Sequence, residues 1–153
     1  MKRAGASEHR AGRFMPGSLR RMSEPPRTGL IKWTDLTVED APAVRDFYAA
    51  VVGWDSIGLQ VEDHEDFVMT HPETGDTVAA ICEQAGSIQG LPQQWLIYVT
   101  IDDLDDSIAA CERHGGKVVF GPRDSETMGR WCVVEDPAGA VMALTELTPG
   151  EDN

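Results

Sequence analysis

The chain has 153 residues, 41% of them hydrophobic, and a formal net charge of −13 at pH 7, which is enough chain for one domain with a sizeable core. No apolar run approaches the roughly 20 residues that a membrane-spanning helix needs. So acidic a chain also repels phosphate backbones, which argues against general nucleic-acid binding.

The first 27 residues differ in composition from the rest of the chain. They carry seven basic and two acidic side chains, several glycines and prolines, and little that a core would bury. We therefore expect residues 1–27 to form a disordered basic tail. The segment lacks the continuous apolar stretch of a signal peptide. Two interpretations stay open: an over-extended gene start, with Met15 or Met22 as the true first residue, or a targeting tail.

An alternating strand over residues 30–40 follows, and Asp40 at its end is placed to cap a helix N-terminus. The next residues show a helical apolar face that ends at Gly53 and consists of Val44, Phe47, Tyr48 and Val51. Three further strands are predicted at 54–62, 66–71 and 77–83, the last two joined by a Pro/Gly turn. The acidic run 62–66 is predicted to be a solvated hairpin turn, and residues 84–94 a linker.

The second half repeats this order. A strand over residues 95–103 ends at Asp103, and a helical face follows that stops at a glycine pair and consists of Leu104, Ile108, Ala109 and Cys111. Strands are predicted at 117–120, 130–135 and 140–147, with the Pro/Gly turn between the last two. The same unit therefore occurs twice.

The repeat predicts the fold class. Two βαβββ modules, 28–84 and 94–148, are expected to pack as one α+β domain over residues 28–148, because neither half could bury its sheet alone. We expect a curved, mostly antiparallel eight-stranded cup with the helices on its outer face. Residues 149–153 form an acidic C-terminal tail.

Three motifs carry a family resemblance. They are Asp35-Leu36-Thr37-Val38-Glu39-Asp40 with Phe47-Tyr48 and Gly53-Trp54, then Ile101-Asp102-Asp103-Leu104-Asp105 with Gly115-Gly116, and lastly Gly129-Arg130 with Asp136-Pro137-Ala138-Gly139. In this order and spacing, over about residues 30–148, the chain resembles the vicinal oxygen chelate superfamily, the group of glyoxalase I, extradiol dioxygenases and bleomycin-resistance proteins. The resemblance supports the cup-shaped fold and leaves the activity open, because the fold hosts several functions.

The resemblance also implies a metal site. Family members bind a metal through His, Glu or Gln on four strands, a ligand set that suits Fe, Mn, Ni or Zn. Carried over position by position, the four sites fall here on Trp33, Ala80 (or Ala79), Leu96 and Ala143. None of these side chains has a ligand atom for a divalent metal. We therefore predict neither a metal site nor any other cofactor.

Strand alternation predicts which residues face the cup. The ligand-binding set expected from it, with Thr37 and Thr145 on the same face, is Trp33, Asp35, Leu96, Tyr98, Thr100 and Ala143. The aliphatic residues between them should lie beneath the helices. The aromatic rings of the set suit either pocket walls or ordinary core filling. The faces of Arg130 and Trp131 stay open.

Asp35 is the single candidate for a catalytic role, since a carboxylate on an apolar face is costly unless it is paired or solvated. It is interpreted as a general base or ligand anchor. The alternatives are an ion pair with Arg130 or exposure at the rim of the cup.

Three functions remain in competition. The first is a bleomycin-resistance-like protein that binds a small, partly aromatic molecule without a metal. The second is a metal-dependent lyase, isomerase or dioxygenase with displaced ligands, for which the candidates are Asp35, His71, Glu83 and Glu146. The third is a regulatory or structural subunit with a filled cup.

The partners and the location are predicted as follows. The resemblance implies a homodimer, because family members commonly pair two chains so that their cups complete one another, and strand edges left by open cups invite such pairing. No nucleic-acid or membrane partner is expected. The chain has three cysteines, Cys82, Cys111 and Cys132. Their odd number and the lack of CxxC spacing exclude a disulfide framework and favour a reducing cytoplasm.

Overall fold

The structure is a computed structural model that describes residues 28–126 and 128–146. The predicted basic tail, 1–27, and the acidic tail, 149–153, lie outside these residues. The elements in chain order are β1 (Ile31–Val38), α1 (Ala41–Val52), β2 (Asp55–Val61), β3 (His64–Thr70), β4 (Thr77–Glu83), β5 (Trp95–Ile101), α2 (Leu104–Arg113), β6 (Lys117–Ser125), β7 (Gly129–Glu135) and β8 (Val141–Glu146).

The eight strands of the described chain form one sheet in the order β2-β3-β4-β1-β5-β8-β7-β6. Strand β1 pairs in parallel with β4, and β5 with β8, while the remaining pairs are antiparallel. The two βαβββ units therefore meet at the β1–β5 pair in the middle of the sheet. The predicted fold class, a mostly antiparallel α+β cup, is confirmed.

Two carboxylates accept hydrogen bonds from the first turn of each helix. Asp40 and Glu83 accept first-turn backbone N–H groups of α1 at 3.0 and 2.8 Å. Asp103 and Glu146 do the same for α2 at 2.8 and 2.7 Å. Because negative charge is favourable at a helix N-terminus, these contacts fix both helices on the strand ends. The capping predicted for Asp40 and Asp103 is confirmed.

The helices cover one face of the sheet with two apolar clusters. Beneath α1 lie Leu36, Val38, Ala41, Phe67, Met69 and Ile81. Beneath α2 lie Leu104, Cys132, Val134 and Leu144. Val44 and Tyr48 of the predicted α1 face pack on the first cluster, but Phe47 and Val51 are 55% and 64% exposed. Their assignment to the buried face was wrong, because only one narrow stripe of the helix touches the sheet.

Two strand boundaries also differ from the sequence prediction. Strand β3 begins at His64 because the acidic turn is only two residues long, with Glu62 at φ 50°. Strand β6 continues past its predicted end at residue 120 to Ser125, through register shifts and a cis Gly121-Pro122 bond. Bulges let an edge strand continue through a glycine and a proline.

The predicted linker, 84–94, is partly built into the core. It contains a short 3-10 helix, Gly86–Ile88, and Leu91 is buried in the cluster on the cup face. The linker therefore fills part of the cup. No helix of the described chain is long and apolar enough to cross a membrane.

Candidate ligand-binding site

The strand register assembles the predicted cup residues at the centre of the sheet. They lie directly opposite one another on neighbouring strands, as Trp33–Tyr98, Asp35–Leu96, Asp35–Ala80 and Tyr98–Ala143. Opposed residues project on the same side of a sheet, here the side away from the helices. The four positions that correspond to the family's metal ligands therefore surround Asp35 and Tyr98.

A cavity of about 300 Å³ opens beside this centre, at the lower end of the range for small-molecule pockets. Trp33 and Tyr98 form part of its wall, and the other lining residues are Lys32, Met128 and Thr145. Trp131 lies on the same sheet face, with its ring centroid 6.0 Å from that of Tyr98. The structure thus decides the face of Trp131.

Asp35 is buried between the two modules. Its residue is only 7% exposed, and its Oδ1 atom has no hydrogen-bond partner among residues 28–126 and 128–146. Both alternatives weighed for it, an ion pair with Arg130 and exposure at the rim, were wrong. Arg130 lies on the helix side and contacts Asp105 at 2.9 Å and Glu146 at 3.4 Å, because the alternation of β7 puts it on the opposite face from Trp131.

The surroundings of Asp35 change its protonation. Burial is the largest influence and raises the pKa of Asp35 to about 7, and the negative charge of Asp66 also acts to raise it. Hydrogen bonding from Tyr98 and, more weakly, from Trp33 acts to lower the pKa. Burial and the neighbouring Asp35 also raise the pKa of the Tyr98 hydroxyl. Near neutral pH, Asp35 therefore exists in both forms while Tyr98 stays protonated.

Cys82 is the thiol nearest this centre. Burial, together with the charges of Asp66 and Asp35, raises the pKa of its thiol. A thiol with a raised pKa carries little thiolate and is a poor nucleophile. Cys82 therefore contributes to the packing of the cup.

The other predicted cup residues are packed more deeply. Leu96 and Ala143 are fully buried in one cluster with Tyr98 and Leu91. The hydroxyl of Thr100 donates to the Leu30 carbonyl at 3.3 Å and accepts from the Leu30 N–H at 3.2 Å. Within the described chain these three side chains support the cup wall, whereas Trp33 and Tyr98 border the cavity.

Two lining residues escaped the sequence prediction. Lys32 directly precedes Trp33 and was not among the predicted cup residues, but β1 has a register shift between Ile31 and Trp33, and such bulges redirect side chains. Met128 precedes β7, and its carbonyl accepts a hydrogen bond from the Thr145 hydroxyl at 2.5 Å. No residue pattern in the sequence indicated that this turn folds back over the cup.

The candidate ligands of the metal-dependent alternative do not form a metal site within the described residues. Glu83 and Glu146 bond the helix N-termini, and His71 Nδ1 accepts two backbone N–H groups within its own turn at 3.3 and 3.4 Å. In the part of the chain that the structure describes, no three His, Cys, Asp or Glu residues are grouped to hold a metal ion. The residues at the family positions do not fit a metal, because a tryptophan, a leucine and two alanines offer no ligand atoms.

The chain matches the Glyoxalase/Bleomycin resistance protein/Dioxygenase superfamily over residues 30–144, and it belongs to that superfamily. It is 28% identical over 122 residues to "Putative glyoxylase CFP32" of Mycobacterium tuberculosis (strain CDC 1551 / Oshkosh), covering 80% of this chain and 46% of that protein. It is 31% identical over 128 residues to "Anthracycline biosynthesis protein DnrV" of Streptomyces peucetius, covering 76% and 46%.

The chain thus spans about half the length of the curated relatives it matches. Among solved structures, it is similar to hypothetical protein BH1468 from Bacillus halodurans C-125, with a TM-score of 0.52 and 11% identity over 83% of this chain and all of that one. That likeness concerns the fold.

Proposed function

We propose that this protein binds a small, partly aromatic molecule in its cup and does so without the family's metal. The observation that carries the proposal is the cavity bordered by Trp33 and Tyr98, next to metal-ligand positions that hold no ligand atoms. Aromatic rings provide large apolar contact areas for a flat ligand, and the thioether of Met128 adapts to irregular shapes. The relative named for anthracycline biosynthesis accords with a small-molecule ligand.

Native mass spectrometry of the protein as isolated tests this proposal. An organic cargo of small-molecule mass is expected on the wild-type chain, and Trp33→Ala should reduce its occupancy. Trp54→Ala is the matched control, because Trp54 packs on the helix side of the sheet. A tightly held stoichiometric metal would overturn the proposal.

We also propose that the occupant of the open half of the cup is a second copy of this chain. The edge strand β2 leaves three apolar side chains exposed, Ile57, Leu59 and Val61. Ile57 lies opposite Val68, which lies opposite Ala80, so these residues share the face of Asp35. An exposed apolar face on an edge strand favours association. The matched region makes up about half of each curated relative, so each relative is long enough to contain a second unit of this size.

The three cysteines support a proposed location in a reducing cytoplasm. Cys82, Cys111 and Cys132 are all free in the structure. Free thiols persist where glutathione and thioredoxin keep them reduced. Fractionation of the native host should recover the protein with the cytosol, and recovery from an oxidising compartment would contradict the proposal.

A further inference from the structure

The charges on the cup face narrow the class of ligand. We infer that the cup selects aromatic compounds that carry an anionic oxygen group, such as a carboxylate, and that Lys32 at the cavity wall determines this selectivity. The inference rests on the proposed binding function and names the ligand class of that same site.

The first observation is a cation at the cavity. Lys32 is exposed, and it lines the cavity together with Trp33, Tyr98, Met128 and Thr145, so that no carboxylate of the described chain belongs to this lining. A lysine covers apolar surface with its aliphatic stem and keeps its ammonium group in contact with water. The site therefore presents aromatic walls with a positive charge at their exposed edge.

Lys32 also differs from other basic residues of the chain in having no carboxylate partner. Arg45, Lys117 and Arg130 each lie 2.7 to 2.9 Å from an Asp or Glu oxygen. Lys32 has no such ion pair within residues 28–126 and 128–146. Its ammonium group is thus available to an anionic group of a ligand.

A second cation lies on the same face of the sheet. Arg123 on β6 pairs with Trp131 on β7, and Trp131 pairs with Thr145 at the cavity; such opposed residues project to the same side. The Arg123 guanidinium lies over the Phe120 ring, 5.4 Å from its centroid, and the Phe120 and Trp131 ring centroids are 5.5 Å apart. The aromatic side chains of the cup face are therefore bordered by cations on β1 and on β6.

The acidic residues of the chain do not cancel this positive charge at the cavity. Glu135, two residues beyond Val133 on the same face of β7, is ion-paired with Lys117 at 2.9 Å. Asp35 is buried and is not among the lining residues. Exposed charges more than about 10 Å away are largely screened at about 0.1 M salt. The exposed charge that a ligand meets at the wall is that of Lys32.

Three probes of the same planar shape test the inference: 2-naphthoate, 2-naphthamide and naphthalene-2-carboxamidine, which are anionic, neutral and cationic at about pH 6. Their Kd values are measured by ligand-observed NMR. In about 0.05 M salt, the naphthoate should bind about five-fold more tightly than the amide, the ratio for a favourable exposed ion pair, and the amidinium should bind most weakly. In about 0.5 M salt, the preference for naphthoate should fall below about two-fold, because salt screens the ammonium group.

Two variants of the same exposed residue assign the selectivity to its charge. Lys32→Gln should give naphthoate and naphthamide equal affinity, and Lys32→Glu should make the amidinium the tightest of the three. The amide should bind both variants about as well as it binds the wild type, which shows that the cup is still folded. Arg113→Gln is the control, because it removes the same charge from an exposed residue at the end of α2, and it should retain the preference for naphthoate.

Two results would overturn the inference and leave the proposed function intact. One is an unchanged preference for naphthoate in Lys32→Gln. The other is equal binding of all three probes to the wild type, with Trp33→Ala weakening each of them. Failure of all three probes to bind would overturn the proposed function as well.

Discussion

Asp35 on β1 and Tyr98 on β5 are both buried, at 7% and 2% exposure, on one face of the strand pair that joins the two modules. They lie at the centre of the sheet face that the helices leave open, among four side chains that cannot bind a metal. Burial raises the pKa of Asp35 in this place to about 7. The pH dependence of stability follows directly from it.

Asp35 should make the folded state less stable as the pH rises. Its folded pKa of about 7 lies above the ordinary value of 3.8, so the folded state binds more protons than the unfolded chain between these values. Stability contributed by the protonated form is fully present below the lower value, is lost as the pH rises to about 7, and is level above it. The loss is on the order of 4 kcal/mol, from 1.36 kcal/mol per pKa unit.

Urea denaturation of the wild type and of Asp35→Asn at several pH values measures this effect. The difference between the two proteins isolates Asp35 from the other carboxyl groups, and it should grow in favour of the variant from about pH 4 to about pH 7. Asp63→Asn is the control, because the Asp63 side chain is 96% exposed. Parallel stability curves for the wild type and Asp35→Asn would contradict a raised pKa.

Replacing Trp33 with alanine should weaken ligand binding more clearly than it weakens the fold. Loss of a packed aromatic contact costs roughly 1–3 kcal/mol of binding. Trp33 is only partly buried, so the loss of stability should stay below the roughly 3–5 kcal/mol of a fully buried large side chain. Titration with an aromatic ligand and one denaturation curve measure both. A loss in the larger range without any effect on binding would show that Trp33 is a core residue.

Gly116→Ala should destabilise the protein by about 1–3 kcal/mol, the usual range for overpacking. A Cβ atom at Gly116 would lie 2.6 Å from Cys111 Sγ and 2.8 Å from the Glu135 carbonyl oxygen. The end of α2 and strand β7 would therefore have to move apart. The melting temperature reports the change. The double variant Cys111→Ala/Gly116→Ala should recover part of the loss of the glycine replacement, because it removes the thiol and leaves the carbonyl contact. An unchanged melting temperature would show that the close approach relaxes without cost.

Leu59→Lys should convert the proposed dimer to monomer. A lysine on the exposed apolar face of β2 adds charge where a second copy would otherwise bury a leucine. Sedimentation velocity at micromolar concentration measures the change in mass. Val51→Lys is the control, since Val51 is an even more exposed apolar residue and lies on the helix side. A monomeric wild type, or a dimer that survives Leu59→Lys, would contradict the proposed interface.

The repeat, the element order and the division of faces followed from the sequence alone. They depend on local rules: a period of two along strands, a period near 3.6 along helices, and carboxylates at helix starts. Those rules placed Trp33, Asp35 and Tyr98 on one face and predicted the capping by Asp40. The positions at which the family resemblance implies metal ligands hold side chains without ligand atoms, and this too could be read from the sequence.

Tertiary structure decided what those side chains meet. The ion pairs of Arg130, the exposure of Phe47, the return of Met128 over the cup and the burial of Leu91 all depend on segments distant in the chain. The bulge beside Trp33 placed Lys32 at the cavity, against the alternation. Most of all, the raised pKa of Asp35 arises from its burial between neighbouring strands, and the charge of Asp66 on β3 raises it further. The burial of one side chain and the charges around it depend on contributions from the whole fold, so a local sequence pattern does not predict them.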